Sequence, residues 1–445
     1  MNPTNHAALV SISLIALGAC TFEIAAPEQL PAPGESSAGE NEGHDNHDPS
    51  TGTDPLHQRA VALVAGAGHA CALAASGEVS CWGNNDVGQL GYGHTDPIGD
   101  DESVGAHGAV AVGGPVASLA AGAEHTCAIM ETGTIRCWGY GGDLALGNGN
   151  HHPDTVGDDE SPAEMGDAII YSNSPIVQLT AGDHHSCMRT ELGAVKCWGD
   201  SPQGALGYGY GTKTGGWLGN VPIGGNVSFL VAGAEHTCAV VDGGKVRCWG
   251  ESTALGYGDT GNVGDDEQIT QLPALSLGEA VTQLAAGARH TCALTASGAV
   301  RCWGQGLNGQ LGYASSQSVA TAWEAGIVNV GGAAVQIAAG RSHTCALSVQ
   351  GSVHCWGEGS FGALGYGNIE DVGDDEMPAV AGVVELPEPV SQIAAGDDFT
   401  CALLQSGAVQ CWGSGRGGQL GYGNEWTIGD NETPAVVEPI RPFGN

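Results

Sequence analysis

The residues of this chain most able to do chemistry are its cysteines, and their spacing is regular. Fourteen of the fifteen stand in seven pairs, each ten residues apart: Cys71 and Cys81, Cys127 and Cys137, Cys187 and Cys197, Cys238 and Cys248, Cys292 and Cys302, Cys345 and Cys355, Cys401 and Cys411. Trp-Gly follows the second member every time. Oxidised, two cysteines that face each other across an antiparallel hairpin close a disulfide. Reduced, Cys71 with His69 on the same strand face and Cys81 opposite would suit zinc. Seven open zinc sites would each need a fourth ligand, and Phe399 takes the histidine's place in the last copy. Seven disulfides use every thiol except Cys20.

Two further sets repeat. His69, His125, His185, His236, His290 and His343 each precede a first cysteine by two residues. They could gather as a ring that binds a ligand on one face, or serve as structural residues bonding neighbouring loops. The second set is Gly-Asp-Asp-Glu, with acids Asp100, Asp101 and Glu102; Asp158, Asp159 and Glu160; Asp265, Asp266 and Glu267; Asp374, Asp375 and Glu376. A fifth copy reads Gly-Asp-Asn-Glu, with Asp430 and Glu432, and the motif is absent after the third and fifth cysteine hairpins. Carboxylates on a glycine turn are hard ligands of the kind calcium uses, on one rim of the molecule, although each loop would need neighbouring carbonyls to complete a shell. Plain solvated turns are the other reading. No other cofactor is expected. A nucleophile, its base and an orienting group should form a unique constellation; here each polar group has copies elsewhere in the chain.

What positions these residues is a phrase repeated seven times, with first cysteines 51 to 60 residues apart. An apolar stretch such as Val335-Gln-Ile-Ala-Ala leads to the first cysteine, and a glycine one residue past the midpoint of each pair (Gly77 in the first copy) suits a three-residue hairpin loop. That loop puts the two cysteines directly opposite each other, in a non-hydrogen-bonded pair. Each such bridge would stabilise by up to about 3 kcal/mol on the chain-entropy account. A shorter return strand should follow. One small sheet cannot bury both faces, whereas seven arranged radially can, with Trp82 and its six counterparts filling the gaps between them.

Ala-Gly-x-x-His-Thr-Cys-Ala-Leu, Cys-Trp-Gly and Gly88-Gln-Leu-Gly91 resemble the repeat of the regulator of chromosome condensation family over residues 60 to about 440. The resemblance implies an all-β, seven-bladed β-propeller over residues 60–441, with one cross-strand disulfide per blade, closed by pairing the first strand near Val61 with the last near Val436. Proteins with this fold include a nuclear guanine-nucleotide exchange factor and a secreted inhibitor of β-lactamases, so the fold does not fix the activity.

Composition narrows the partners. With 12 Lys+Arg against 49 Asp+Glu, the formal charge of −37 repels nucleic acid and anionic lipid surfaces. Ala7 to Ala19 is apolar and uncharged, the length of a leader core and too short to span a bilayer. It ends Leu17-Gly18-Ala19-Cys20, which resembles a bacterial lipobox. The reading is a leader over 1–19, a lipidated Cys20 and an acidic flexible tether over 20–59; an ordinary leader cut nearby is the alternative. Thr21, not Asp, follows the cysteine, which fits the outer membrane or cell surface. Disulfides independently favour export. The expected role is a non-catalytic scaffold binding a protein or polysaccharide, held at the membrane only through its N-terminal lipid. A guanine-nucleotide exchange factor and an extracellular enzyme using the central depression are the alternatives.

Overall fold

Each apolar stretch becomes a strand, and each cysteine pair a hairpin beside it. The computed structural model describes residues 59–149, 155–210, 214 and 219–444. The expectations for the leader, Cys20 and the tether up to residue 58 lie outside them. Blade one comprises Ala60–Ala65, His69–Ala74 and Val79–Gly83, in that order across the sheet. The first strands of the other blades start at Val116, Ile176, Val227, Val281, Ala334 and Val390. The first strand of each blade packs on the first strand of the next, and that of the seventh packs on that of the first. The result is an all-β, seven-bladed propeller. Middle strands such as His69–Ala74 are buried at every position, because a neighbouring blade covers each face.

The hairpin geometry follows from one glycine. Gly77 has φ 85°, its N–H donates to Ala74 O at 2.9 Å, and Ala74 N–H donates to Glu78 O at 2.9 Å. This three-residue loop sets Cys71 opposite Cys81 with Cα atoms 4.1 Å apart, the close spacing of a non-hydrogen-bonded pair. Cys81 N–H points away from its partner strand, to the Tyr92 hydroxyl at 3.2 Å. All seven pairs are disulfides. Zinc at His69, Cys71 and Cys81 is thereby overturned, because the sulfurs are joined to each other and the histidine bonds elsewhere.

Two expectations about strands are corrected. Among the described residues a return strand forms only in blade two, where Thr155–Val156 pairs with Gly139 and Tyr140. Elsewhere the return is an isolated bridge, as between Gly83 and Ile98. Gly99 (φ 93°) then turns the chain toward blade seven, where its carbonyl accepts Gly423 N–H at 3.0 Å. The chain rejoins the edge strand of its own blade at Val110, whose N–H donates to Val79 O at 2.8 Å.

Ring closure is also not a pairing of Val61 with Val436. Ile440 bridges Val409 within blade seven, and Val436 sits in an exposed turn. The C-terminal segment stays in its own blade, and the last seam is joined as other seams are, by a side-chain amide that recurs at Gln178, Gln283 and Gln336. Gln392 Oε1 accepts Leu63 N–H at 3.0 Å, and its Nε2 donates to Leu63 O at 2.8 Å. The amide thus imitates a peptide group of an adjacent strand. Asp397 N–H adds a bond to Ala67 O at 3.1 Å. Replacing Gln392 by Ala should destabilise the fold by about 1–3 kcal/mol, by stripping partners from a half-buried peptide, and should speed hydrogen exchange at the Leu63 amide. Denaturant unfolding and exchange both read this; unchanged values for both would contradict the clamp.

Candidate functional site at the axial mouth

Each inner strand ends in Ala-Gly, and the seven glycines form a ring. A Cβ on Gly66 would lie 2.3 Å from Gly122 O, and one on Gly396 would lie 2.6 Å from Gly66 O. Only glycine permits so close a backbone approach. Inside the ring runs a cavity of about 300 Å³, lined by small residues of the inner strands such as Ala65 and Ala286.

The histidines that follow turn into the seams between blades. Nε2 of His69, His125, His185, His236, His290 and His343 lies 2.8–2.9 Å from the hydroxyl of Thr126, Ser186, Thr237, Thr291, Thr344 and Thr400 in the next blade. Thr126 donates its own proton to Gln89 O at 2.9 Å, so it accepts from His69 Nε2–H, which fixes the neutral tautomer. The same class of loop carbonyl accepts Trp Nε1–H, as in Trp356 to Gln310 O at 2.9 Å, where Thr344 also donates. Burial pushes these imidazoles down to about 3 for His69, His185 and His290, and about 4 for His125, His236 and His343. They form inter-blade bonds and do not present a ring to a ligand. At the seventh seam the register puts Phe399 and Ala70 in the places of His and Thr. Donor and acceptor are lost together, leaving an apolar pair with nothing unsatisfied.

The Gly-Asp-Asp-Glu acids gather within single loops. In four loops the three carboxylates bring one oxygen each to within 4.8 Å of one another, while Asp430 and Glu432 with Asn431 do not form such a group among the described residues. The glutamate folds back on its own turn: Glu267 Oε1 accepts Gly264 N–H at 2.9 Å. The glycine packs on the preceding blade, as Gly157 does on Gly88. The motif therefore has a structural role in joining blades, and calcium there would need further oxygen donors.

What the sequence reading missed is the dipeptide between Gly and His, the x-x of the repeat. It varies around the ring, with only Ala-Glu occurring twice: Ala67-Gly68, Ala123-Glu124, Asp183-His184, Ala234-Glu235, Ala288-Arg289, Arg341-Ser342 and Asp397-Asp398. The first residue of each dipeptide lines one end of the cavity, among them Asp183, Arg341 and Asp397. Arg341 Nη1 lies 2.9 Å from Asp397 Oδ2, and His184 Nδ1 lies 2.9 Å from Asp143 Oδ2. Burial, then the charge of Asp397, raises the pKa of Asp183. Burial raises Glu235 as well, and Asp398 is raised by burial and then by Asp397. Carboxylates crowded at a narrow mouth, with Arg341 among them, favour a cationic or mixed-charge partner.

The histidine seams fix the sign of the acid response. The unfolded chain protonates its histidines near 6.5 and the folded chain only near 3–4, so their contribution is full above 6.5 and is lost as pH falls through that window. Each costs about 2 kcal/mol between pH 7 and pH 5. Glu160 and Glu376, raised to about 7 by burial and then by their aspartate neighbours, act oppositely: their contribution is present below about 4.5 and fades as pH rises through 7. The histidines are fully buried and outnumber them, so the thermal midpoint should fall from pH 7 to 4.5. Copying the seventh seam with His343→Phe and Thr400→Ala should lessen that fall. The double variant should also cost less than the sum of the single ones, each of which leaves a buried polar group unpaired at about 1–3 kcal/mol. An additive cycle with an unchanged pH profile would contradict the assignment.

Comparison with known proteins agrees with this architecture. The model described as "Regulator of chromosome condensation (RCC1) repeat" matches residues 60–89, 116–143, 176–205, 227–254, 281–310, 334–363 and 390–419, and a second of the same description matches 350–403. The chain is 29% identical over 399 residues to the ultraviolet-B receptor UVR8 of Arabidopsis thaliana, covering 87% of this chain and 83% of that protein. It is 31% identical over 286 residues to the E3 ubiquitin-protein ligase HERC2 of Homo sapiens, covering 60% of this chain but only 5% of that protein. Yeast RCC1 (Prp20), solved bound to Kap60, superposes with a TM-score of 0.66 at 20% identity over 91% of each chain, a likeness of fold. With seven matched repeats, each one a blade closed by its own disulfide, this chain belongs to the regulator of chromosome condensation repeat family.

Proposed function

We propose that this protein is an exported, lipid-anchored, non-catalytic scaffold that binds a protein or polysaccharide partner at the axial mouth. The observation that carries this reading is where the repeat stops repeating: cysteine, tryptophan and glycine positions are held in all seven copies, while the dipeptide at the mouth ranges from neutral through acidic to basic around the ring. Residues that need only close the ring have no reason to differ so. The relatives include a protein named as a receptor and one named as a ubiquitin ligase, the latter matched over only 5% of its length, which supports a binding or regulatory role. Export is supported by the seven disulfides and by Leu17-Gly18-Ala19-Cys20. The same disulfides speak against a guanine-nucleotide exchange factor, whose GTPase partner belongs to a reducing compartment.

Intact mass of the untagged protein, purified without reductant from the membranes of its native host, tests the anchor. The expected mass is that of a chain starting at Cys20, with a diacyl or triacyl addition and 14 hydrogens fewer, two for each of the seven disulfides. A soluble chain starting near Met1 with free thiols overturns it. For the mouth, Asp183→Ala with Arg341→Ala should abolish capture of partners from whole cells without moving the thermal midpoint. Undiminished capture would place binding elsewhere.

A further inference from the structure

The repeat is broken a second time, in the outer loop of blade one. The residue after Gly-Tyr-Gly is His94, where blades four, six and seven carry Asp259, Asn368 and Asn424, and the chain beyond Gly99-Asp-Asp-Glu102 brings in His107. The two imidazoles have ring centroids 6.3 Å apart, and His107 Nε2 lies 2.9 Å from Glu102 Oε1. Neither histidine belongs to the buried set at the seams.

This trio is held in place. Tyr92 stacks on His94 at 6.0 Å with planes 17° apart, and its hydroxyl both accepts Cys81 N–H at 3.2 Å and donates to Gly108 O at 3.3 Å, next to His107. The fully buried Asn85 donates from Nδ2 to His94 O at 2.6 Å and Asp96 O at 2.9 Å, which pins the turn carrying the first imidazole. Glu102 Oε1 also accepts Gly99 N–H at 3.3 Å. His94 Nδ1 is buried and has no hydrogen-bond partner. A buried imidazole nitrogen without a partner, beside a histidine–carboxylate pair, lacks the group that would use its lone pair.

We propose that His94, His107 and Glu102 form a binding site for a divalent transition-metal ion of the zinc type on the outer loop of blade one. Two imidazoles and one carboxylate make a donor set that leaves a coordination position open. Ligand atoms sharing a tetrahedral zinc are about 3.3 Å apart, given bonds near 2.0–2.1 Å, so the 2.9 Å between His107 and Glu102 needs little change. Imidazole centroids on such an ion are about 5 Å apart; those of His94 and His107 are 6.3 Å apart, and the donor atoms of the trio do not all lie within 4.8 Å of one another, so ion binding must draw the exposed His107 toward His94. Exposed Asp101, with an oxygen within 4.8 Å of Glu102's, or a water takes the fourth position. Tyr92 and Asn85 act as positioning residues. The site is independent of the anchor and of the axial mouth.

Calorimetric titration of the untagged, disulfide-intact protein with zinc chloride tests this, with cobalt(II) absorption as a second readout of nitrogen ligation. One saturable zinc is expected. His94→Ala and His107→Ala should each weaken it by at least about tenfold, since loss of even an outer partner costs that much, and Glu102→Gln should weaken it too. Asp375→Asn, in the corresponding loop of blade six, should not. The exposed loop lets circular dichroism and thermal midpoints stay unchanged. Absence of saturable zinc overturns the proposal. So does zinc binding that survives both histidine changes.

Discussion

A small antiparallel sheet with two apolar faces cannot stand alone in water, and the whole molecule follows from that constraint. Each blade must be covered by its neighbours, so the contacts that matter run from blade to blade. The seam therefore carries polar groups as well as apolar ones, and the histidine, threonine and tryptophan groups bond largely to the adjacent repeat. A loop carbonyl takes a tryptophan N–H and a threonine hydroxyl, and the threonine takes a histidine N–H from the blade before. Such chained bonds in a dry interface are costly to break at any one member. The disulfides act within blades, keeping each hairpin in register while the seams hold the ring.

The seventh seam shows how a ring made of copies accommodates its ends. Phe399 and Ala70 replace a donor and an acceptor at once, so neither is stranded, while Gln392 keeps the amide clamp that Gln178 and Gln336 make at ordinary seams. Sevenfold likeness thus bends where the chain has to begin and finish. It bends also at the axial mouth and at the outer loop of blade one, and there the closing of the ring gives no reason for it. Those departures carry the binding proposals because the scaffold does not account for them.

Much of the fold was legible because repetition turns weak local signals into strong ones. A Cys-x9-Cys spacing with a glycine past its midpoint specifies one hairpin, and seven copies specify a closed array. The histidines were legible as a set but not in their role, since the partner hydroxyl lies some 50 to 60 residues away in the next copy. Closure was misread because strand pairing between the ends looks natural in a linear sequence, while Gln392 looks like any half-buried polar residue. The return strands were overestimated, because the chain leaves its blade after one bridge, at the glycine of Gly-Asp-Asp-Glu in blade one and without that motif in blades three and five. The charged mouth hid in plain view, at the two positions that a repeat motif writes as x-x. Reading the differences between copies would have found it.

Nitrogen NMR of the histidine side chains across pH 7 to 4.5 tests the central claim, that polar seams between blades hold the ring. Six imidazoles should remain neutral Nε2–H tautomers down to about pH 4.5 in the folded protein, as burial dictates. If those six instead titrate near 6.5 while the protein stays folded, the seams are wet, the histidine–threonine bonds do not hold the blades together, and the account fails at its base.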